Sequence, residues 1–374
     1  MNIALIKLGS RISINSVGTS GGTGETLSII KMLTTAGANV DAYTKVLPRD
    51  EKPVDFNILD IESNYLDINN KNYDCLLVLN GNVTYFGGKD NRSQTLNYYI
   101  INNFKGKVFY IMCDCNLFLK QIWPSIINKS WASLYSRQDI EIVRDDIIYI
   151  TQACDVSKVT QKAQRYVNIK KSIYFPFEKF PLLTLRDMPI NEFPEYDILY
   201  GGTFRSGRRE ADMIKFYFGY DPDLYKVEMF GNINFNDFNK SKVDGLSSPI
   251  FSGPVNYDKF PEKMRKSMAT VIIGDKIYKE LDDLAQRIYE SIRIGNVVLI
   301  DSSYDYNKRV FKNSELLEFN YVTTREDVEN RLDRLRNDFK LREHLIELQR
   351  LDTEINEKDY CIILMNILKE NLYE

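Results

Sequence analysis

The chain has 374 residues, 49 of them Lys or Arg and 52 Asp or Glu, for a net charge of -3. That length exceeds one ordinary hydrophobic core and fits about two domains, while the slight acidity excludes a surface that is basic throughout, so any nucleic-acid contact has to come from a locally basic face. Apolar residues at 44% and charged residues at 27% are the balance of a soluble globular protein; no apolar run is long enough to span a bilayer, and Met1 to Ile6 is a strand-length run ending at Lys7 rather than a leader. The expected setting is therefore cytosolic.

Residues 2–8 read as a first strand, followed by the glycine-rich segment Gly18 to Gly24 and then by Leu27, Ile29, Ile30, Met32 and Leu33 at helical spacing, with Gly37 as the stop. With Val40 to Tyr43 as the next strand, this is half of a βαβ unit. The glycines lack the spacing of a dinucleotide fingerprint, and the lysine of a triphosphate loop is missing. Glu25, at the start of the helix, is either a partner of the helix dipole or a hydroxyl-binding carboxylate at the mouth of the sheet. Cys75 to Leu79 reads as a buried strand leading into Asn80 to Lys89, where Tyr85, Phe86, two glycines, Lys89 and Arg92 suit either a backbone-gripping, base-stacking loop or a loop with a buried aromatic anchor.

A helix over 93–104 leads to the strand Val108 to Met112, after which Asp114 stands either as a general base at the ligand face of a parallel sheet or as a helix cap. Lys120 and Lys129 accompany the Trp123-Pro124 and Trp131 segment. Strands at 147–151 and 172–178 complete the first half, and residues 179–195, with Pro181, Pro189 and Pro194 and little periodicity, read as a linker. The five cysteines (Cys75, Cys113, Cys115, Cys154 and Cys361) read as reduced core thiols; strand alternation sends Cys113 and Cys115 to one face, but no Cys/His cluster follows to make a metal site. The single histidine, His344, lies in a charged helical segment, so a general base is expected among the carboxylates.

The second half repeats the pattern. A strand at 197–200 runs into Tyr200-Gly-Gly-Thr-Phe-Arg-Ser-Gly-Arg-Arg-Glu210 and a helix with Met213, Ile214, Phe216 and Tyr217 on its apolar face. Glycines that let backbone approach a ligand, a helix N-terminus, and Arg205 and Arg209 one turn apart on that helix make a diphosphate grip; a glycine turn before a solvated basic helix is the plainer alternative. Strands follow at 227–230, ending in Gly231, and at 270–274, ending in Asp275. A helix from about Leu281 to Ile294 carries Arg287 and Glu290, and a strand at 297–300 ends at Asp301. Helices at 326–338, 341–351 and 358–372 close the chain. The expected class is α/β: two parallel-sheet domains whose loops face a deep interdomain cleft.

Arg205, Arg209 and Arg287 suit a diphosphate because guanidinium groups pair phosphate oxygens in fork geometry, and Glu290 suits ribose hydroxyls. The same arginines neutralise the leaving diphosphate, so the sequence requires no divalent metal, leaving such an ion at most a stimulatory part. Asp114 could deprotonate an acceptor hydroxyl for one displacement, inverting the anomeric centre; a retaining route would need a second carboxylate, for which Glu25, Glu178 and Asp275 stand available.

The 200–210 segment closely resembles a motif of the T-even bacteriophage DNA β-glucosyltransferase family, as do, in the same order, Asn80 to Lys89, Trp123-Pro124 with Trp131-Ala132, Tyr174 to Glu178, Phe230-Gly-Asn232, Ile272 to Lys276 with Tyr278, and Arg287 to Glu290. The resemblance implies a glycosyltransferase-B fold with an acceptor-binding domain at 1–178, a linker at 179–195, a UDP-sugar domain at 196–355 and a helix at 356–374 that returns to the first domain. It implies Asp114 as base; Glu25, Glu178 and Asp275 near the donor sugar; and Gly202, Thr203, Arg205, Arg209, Phe230, Gly231, Tyr278, Arg287 and Glu290 at the UDP. UDP-glucose is the expected donor and 5-hydroxymethylcytosine in duplex DNA the acceptor, reached by flipping the base out of the stack. Lys89, Arg92, Lys120 and Lys129 are the candidates for the DNA backbone. The chain is read as a phage-encoded monomer of the host cytoplasm, without a membrane partner.

Three departures from the family bear on specificity: Cys115-Asn116-Leu117-Phe118 replaces Arg and Leu-Pro after the aspartate, Thr203 replaces a serine, and one extra residue stands between Asp275 and Arg287. They keep open another donor such as UDP-arabinose, or hydroxymethyluracil as acceptor. A glycosyltransferase acting on a small molecule and a non-catalytic nucleotide-sugar or DNA-binding module are the readings from further afield.

Overall fold

The computed structural model describes residues 1–7, 20–44, 57–79, 99–112, 143–164, 168–204, 209–256 and 259–373. The chain divides into two compact units, residues 1–177 with 356–374, and residues 178–355.

The first unit holds seven parallel strands: β1 (Asn2–Lys7), β2 (Asn39–Thr44), β3 (Asn57–Asp60), β4 (Cys75–Leu79), β5 (Lys107–Met112), β6 (Ile147–Thr151) and β7 (Ile169–Tyr174), in the order β3-β2-β1-β4-β5-β6-β7. β1 pairs with β2 on one side and β4 on the other, so the winding reverses between β1 and β4. All five residues of β4 and of β6 are buried. That is why they appear in the sequence as unbroken apolar runs rather than as alternation: a parallel sheet is covered on both faces.

The helix after β1 spans Ser20–Thr35, beginning inside the segment expected as a glycine loop. Gly37 (φ +86) then makes the left-handed stop. The last helix, Glu357–Asn371, belongs to this unit: Tyr360 Oη donates to the carbonyl of Pro176, and its ring lies 4.9 Å from that of Phe175.

Arg144 ties the loop before β6 to the end of the helix that reaches residue 103. Its Nη1 donates to the carbonyl oxygens of Phe104 (2.6 Å) and Ile101 (3.2 Å), and its Nη2 to that of Gly106 (2.8 Å). Nε and Nη2 also grip both oxygens of Asp146, at 2.7 and 2.8 Å. Arg144→Ala leaves three carbonyls short of a donor and is expected to cost about 3 kcal/mol of stability, read from urea unfolding. The hydrogen bond from Arg144, first among the causes, holds the Asp146 carboxyl below its usual range. A depressed carboxylate contributes stability fully above the ordinary pKa of about 4 and loses it as pH falls through the lowered folded value; the variant should lack that acid-side decline.

The second unit holds six parallel strands: β8 (Tyr196–Thr203), β9 (Val227–Asn232), β10 (Ile250–Ser252), β11 (Ser267–Ile272), β12 (Val297–Asp301) and β13 (Tyr321–Val322), in the order β10-β9-β8-β11-β12-β13. Here the winding reverses between β8 and β11. In such sheets ligands bind beyond the carboxyl ends of the strands at the reversal.

Several elements differ from expectation. Residues 179–195 are not a free connector: Leu182 and Leu183 are buried and the Met188 N–H donates to the Arg293 carbonyl, so these residues pack on the second unit. The helix expected from Leu281 is two helices, Lys276–Leu281 and Arg287–Ile294, parted where Asp282 adopts the left-handed conformation (φ 53). The glycines at 201 and 202 lie in β8 rather than in a turn. The short strands β3, β10 and β13 had no counterpart in the sequence reading. No helix among the described residues is long and apolar enough to cross a membrane.

Candidate functional site

The reversal point of the second sheet is where the chain gathers its charged and close-packed residues. β8 ends in Gly201-Gly202-Thr203, paired residue for residue with Phe230-Gly231-Asn232 of β9. The glycines are required by contact. A Cβ at Gly201 would lie 2.6 Å from the Phe230 ring, and one at Gly202 would lie 2.8 Å from Tyr200 Oη. Gly231 (φ +114) faces Gly202 so closely that a Cβ would come within 2.0 Å of the Gly202 carbonyl oxygen. Gly231→Ala therefore meets both a forbidden φ and a backbone clash. It is expected to cost at least about 2–3 kcal/mol, visible as a lowered melting midpoint, and to weaken any ligand seated on this strand end.

Arg209 stands between the two central strands. It is the N-cap of the helix Glu210–Tyr217, with φ -130, not a residue inside that helix. The helix expected to carry Arg205 and Arg209 together starts only at Glu210, and Arg205 lies outside the described residues. Arg209 Nε donates to Asp275 Oδ1 at 2.6 Å, and its Nη1 donates to Tyr200 Oη at 3.0 Å. Asp275 follows β11 and its side chain is fully buried. Burial of Arg209 works against its charge, but Tyr200 and Asp275 outweigh that and leave its pKa raised.

A second cation stands beside it. Arg287, the first residue of its helix, lays its guanidinium over the Phe260 ring, 3.8 Å from the centroid, and Phe260 in turn packs against Phe230 at 5.4 Å. Arg287 Nε lies 3.2 Å from Glu290 Oε2, one turn on. Its Nη1 is buried and has no hydrogen-bond acceptor among the described residues. Stacked and half paired, the group is fixed in direction with donor capacity left over, which is the state of a guanidinium awaiting an anion.

Lys279 braces these elements from behind. Its ammonium donates to Asp212 Oδ2 (2.8 Å), Asp301 Oδ2 (3.0 Å) and Ser303 Oγ (2.8 Å), joining the helices Glu210–Tyr217 and Lys276–Leu281 to the end of β12. Burial would lower its pKa, but the bonds to Asp212 and Asp301 raise it overall.

Of the residues expected at the UDP, then, Gly202, Thr203, Phe230 and Gly231 share one strand end, Arg209 stands beside it, and Arg287 and Glu290 reach it through Phe260; Tyr278 is buried on the helix after Asp275. Two expected sugar ligands are already engaged. Asp275 holds Arg209, and Glu178, also buried, receives Arg309 Nη2 at 3.2 Å while Arg309 Nη1 donates to the Asp282 carbonyl at 2.5 Å. Glu25 lies on the helix Ser20–Thr35, its side chain outside what is described. Asp114, Arg205, Lys89, Arg92, Lys120 and Lys129 lie outside the described residues, as do Cys113 and Cys115. The sequence reading missed Tyr200 as a partner of Arg209, Phe260, Lys279 and Arg309. Tyr200 was in the quoted motif, but nothing local says where its hydroxyl ends.

Residues 1–181 match the family model described as bacteriophage T4 beta-glucosyltransferase. The DNA beta-glucosyltransferase of Enterobacteria phage T4 is 29% identical over 359 residues, 93% of each chain. The solved structure of the T4 phage enzyme with its UDP-glucose substrate superposes with a TM-score of 0.78 at 25% identity, covering 100% of this chain and 99% of that one. The same enzyme with UDP and Mn2+ gives 0.79 at 25% identity over the same shares. The two parallel-sheet domains are thus those of a glycosyltransferase-B fold.

Proposed function

We propose that this chain, a relative of the bacteriophage T4 β-glucosyltransferases, is a UDP-sugar-dependent DNA glycosyltransferase that moves glucose to the hydroxymethyl group of 5-hydroxymethylcytosine in duplex DNA. The observation that carries the donor half is the pairing of Arg209 with Asp275 at 2.6 Å across the reversal point of the second sheet, with Arg287 and its open Nη1 as the other cation. Two directed guanidinium groups over a strand end that tolerates only glycine fit a diphosphate approaching the backbone.

In this reading the arginines bind the diphosphate and take up the charge that grows on it as the glycosidic bond breaks. Glu290, already turned toward Arg287, accepts from the ribose hydroxyls. Asp114, two residues beyond the end of β5, removes the acceptor proton, and one displacement inverts the anomeric centre. A hydroxymethyl group stacked in a duplex is out of reach of such a base, so the nucleotide is flipped out, at about a few kcal/mol. Lys89, Arg92, Lys120 and Lys129 then meet the DNA backbone, and the enzyme works as a monomer in the cytoplasm of the infected host.

Among the described residues no group of three or more carboxylate, cysteine or histidine side chains is placed to hold a divalent ion such as the Mn2+ of the T4 complex. The test is product mass. The protein is incubated with hydroxymethylcytosine, hydroxymethyluracil and plain duplexes, each with UDP-glucose or UDP-arabinose. Gain of one hexose on hydroxymethylcytosine DNA alone is expected; gain of a pentose, or transfer to hydroxymethyluracil, would reassign donor or acceptor, and no gain in any pairing would sink the reading.

A further inference from the structure

We propose that Asp275 and Tyr200 are positioning residues for Arg209, so that Asp275 acts on the donor's diphosphate through the arginine and not as a ligand of the transferred sugar. The proposal rests on the donor reading above and deepens it.

Asp275 caps the helix Lys276–Leu281 by position, with extended backbone at φ -64, ψ 154, yet its side chain accepts no capping bond from that helix. An aspartate at this position ordinarily turns its carboxylate onto the first free amides. Here one oxygen accepts from Arg209 Nε instead, at 2.6 Å, and the side chain is fully buried. A carboxylate so placed is tolerated only when a cation neutralises it, and Arg209 is a cation that pairs with it among the described residues.

Tyr200 holds the other end of the same guanidinium, its hydroxyl accepting from Nη1 at 3.0 Å. The tyrosine is itself fixed, its ring edge-on to Tyr217 at 5.3 Å, and Gly202 is the residue that leaves space for the hydroxyl. The two partners come from the two strands flanking the reversal, Tyr200 within β8 and Asp275 beyond β11. They occupy Nε and Nη1. Nη2 has no partner among the described residues, so the plane of the group is set before any ligand arrives, with one amino group left to meet a phosphate oxygen. Orienting a long flexible side chain in advance removes that ordering cost from binding.

The two roles differ in which ligand they affect. A positioning residue acts on UDP and UDP-glucose alike, whereas a sugar ligand acts on UDP-glucose only. Calorimetric titration of Asp275→Asn and Tyr200→Phe with both ligands is expected to show each affinity reduced about tenfold, by the same factor for UDP as for UDP-glucose, with KM raised and kcat little changed. In an Arg209→Ala background Asp275→Asn should add nothing further for UDP, since the groups act as one unit. Loss confined to UDP-glucose, or full additivity with Arg209→Ala, would overturn the proposal, as would unchanged affinity for both ligands. If Asp275→Asn does not fold, Tyr200→Phe and its cycle with Arg209→Ala decide by the same criteria. Failure of the unaltered protein to bind UDP at all would instead remove the donor reading on which the proposal stands.

Discussion

Asp114→Ala is expected to lower the rate of sugar transfer by about 10²–10⁴-fold while UDP affinity stays within about twofold. The size is that of a lost general base: an aliphatic hydroxyl is a poor nucleophile until its proton is taken, and a positioned carboxylate supplies that acceleration. The competing base would be an imidazole. The chain has one histidine, His344, and its ring faces Glu315 at 3.0 Å on the helix Phe339–Asp352, a surface pair remote in sequence from every candidate ligand residue. Asp114 instead comes two residues after β5 in the chain, and β5 is the second strand from the β1/β4 reversal; the segments that follow parallel strands are the ones that meet ligands. Product mass over time on hydroxymethylated duplex measures the rate, and calorimetry with UDP measures the donor site independently. A variant that turns over at near-normal rate would move the base role to another carboxylate, Glu25 being the next to replace.

Why these positions could be found at all is a matter of how parallel sheets are written. β4 and β12 are buried on both faces and therefore appear as unbroken apolar runs, each followed by the polar or glycine residue that ends it. That placed Gly201, Gly231, Asp275 and Asp301 at strand ends without any knowledge of the sheet order. What failed was shorter than a period. β13 is two residues and β10 three, and no alternation can be read from them. The break at Asp282 failed for another reason. Leu281, Leu284 and Ile288 keep helical spacing through it, and the left-handed residue is held from afar by Arg309, which donates to the Asp282 carbonyl from 27 residues away. Arg209 and Asp275 are 66 residues apart, and Glu178 and Arg309 are 131 apart. The reversal of winding brings the first pair together, and reversal is a property of strand order, which spacing along the chain does not encode.

Arg287→Ala is expected to weaken UDP binding about 10²-fold and leave the melting midpoint nearly unchanged. The expectation comes from an imbalance at the side chain. Its Nε has Glu290 and its face has Phe260, but Nη1 is buried without an acceptor among the described residues. A buried donor left unmade costs about 1–3 kcal/mol, which the fold carries unless something completes the bond. A phosphate oxygen would complete it. A charge-assisted bond near the top of its range, about 3 kcal/mol, with about 1.4 kcal/mol per tenfold, gives the factor stated. Removing the side chain removes the unmet donor along with the pairing to Glu290, so the two stability terms oppose each other while the binding loss stands alone. Arg287→Lys separates charge from shape: lysine keeps the positive charge but has neither the planar fork nor the flat face that lies 3.8 Å above Phe260. It should therefore recover part of the affinity, settling about tenfold below the unaltered protein. Recovery to full affinity would mean that charge alone suffices and that the stack on Phe260 serves only packing. Unchanged UDP affinity in Arg287→Ala would mean that the diphosphate is held by Arg209 without it.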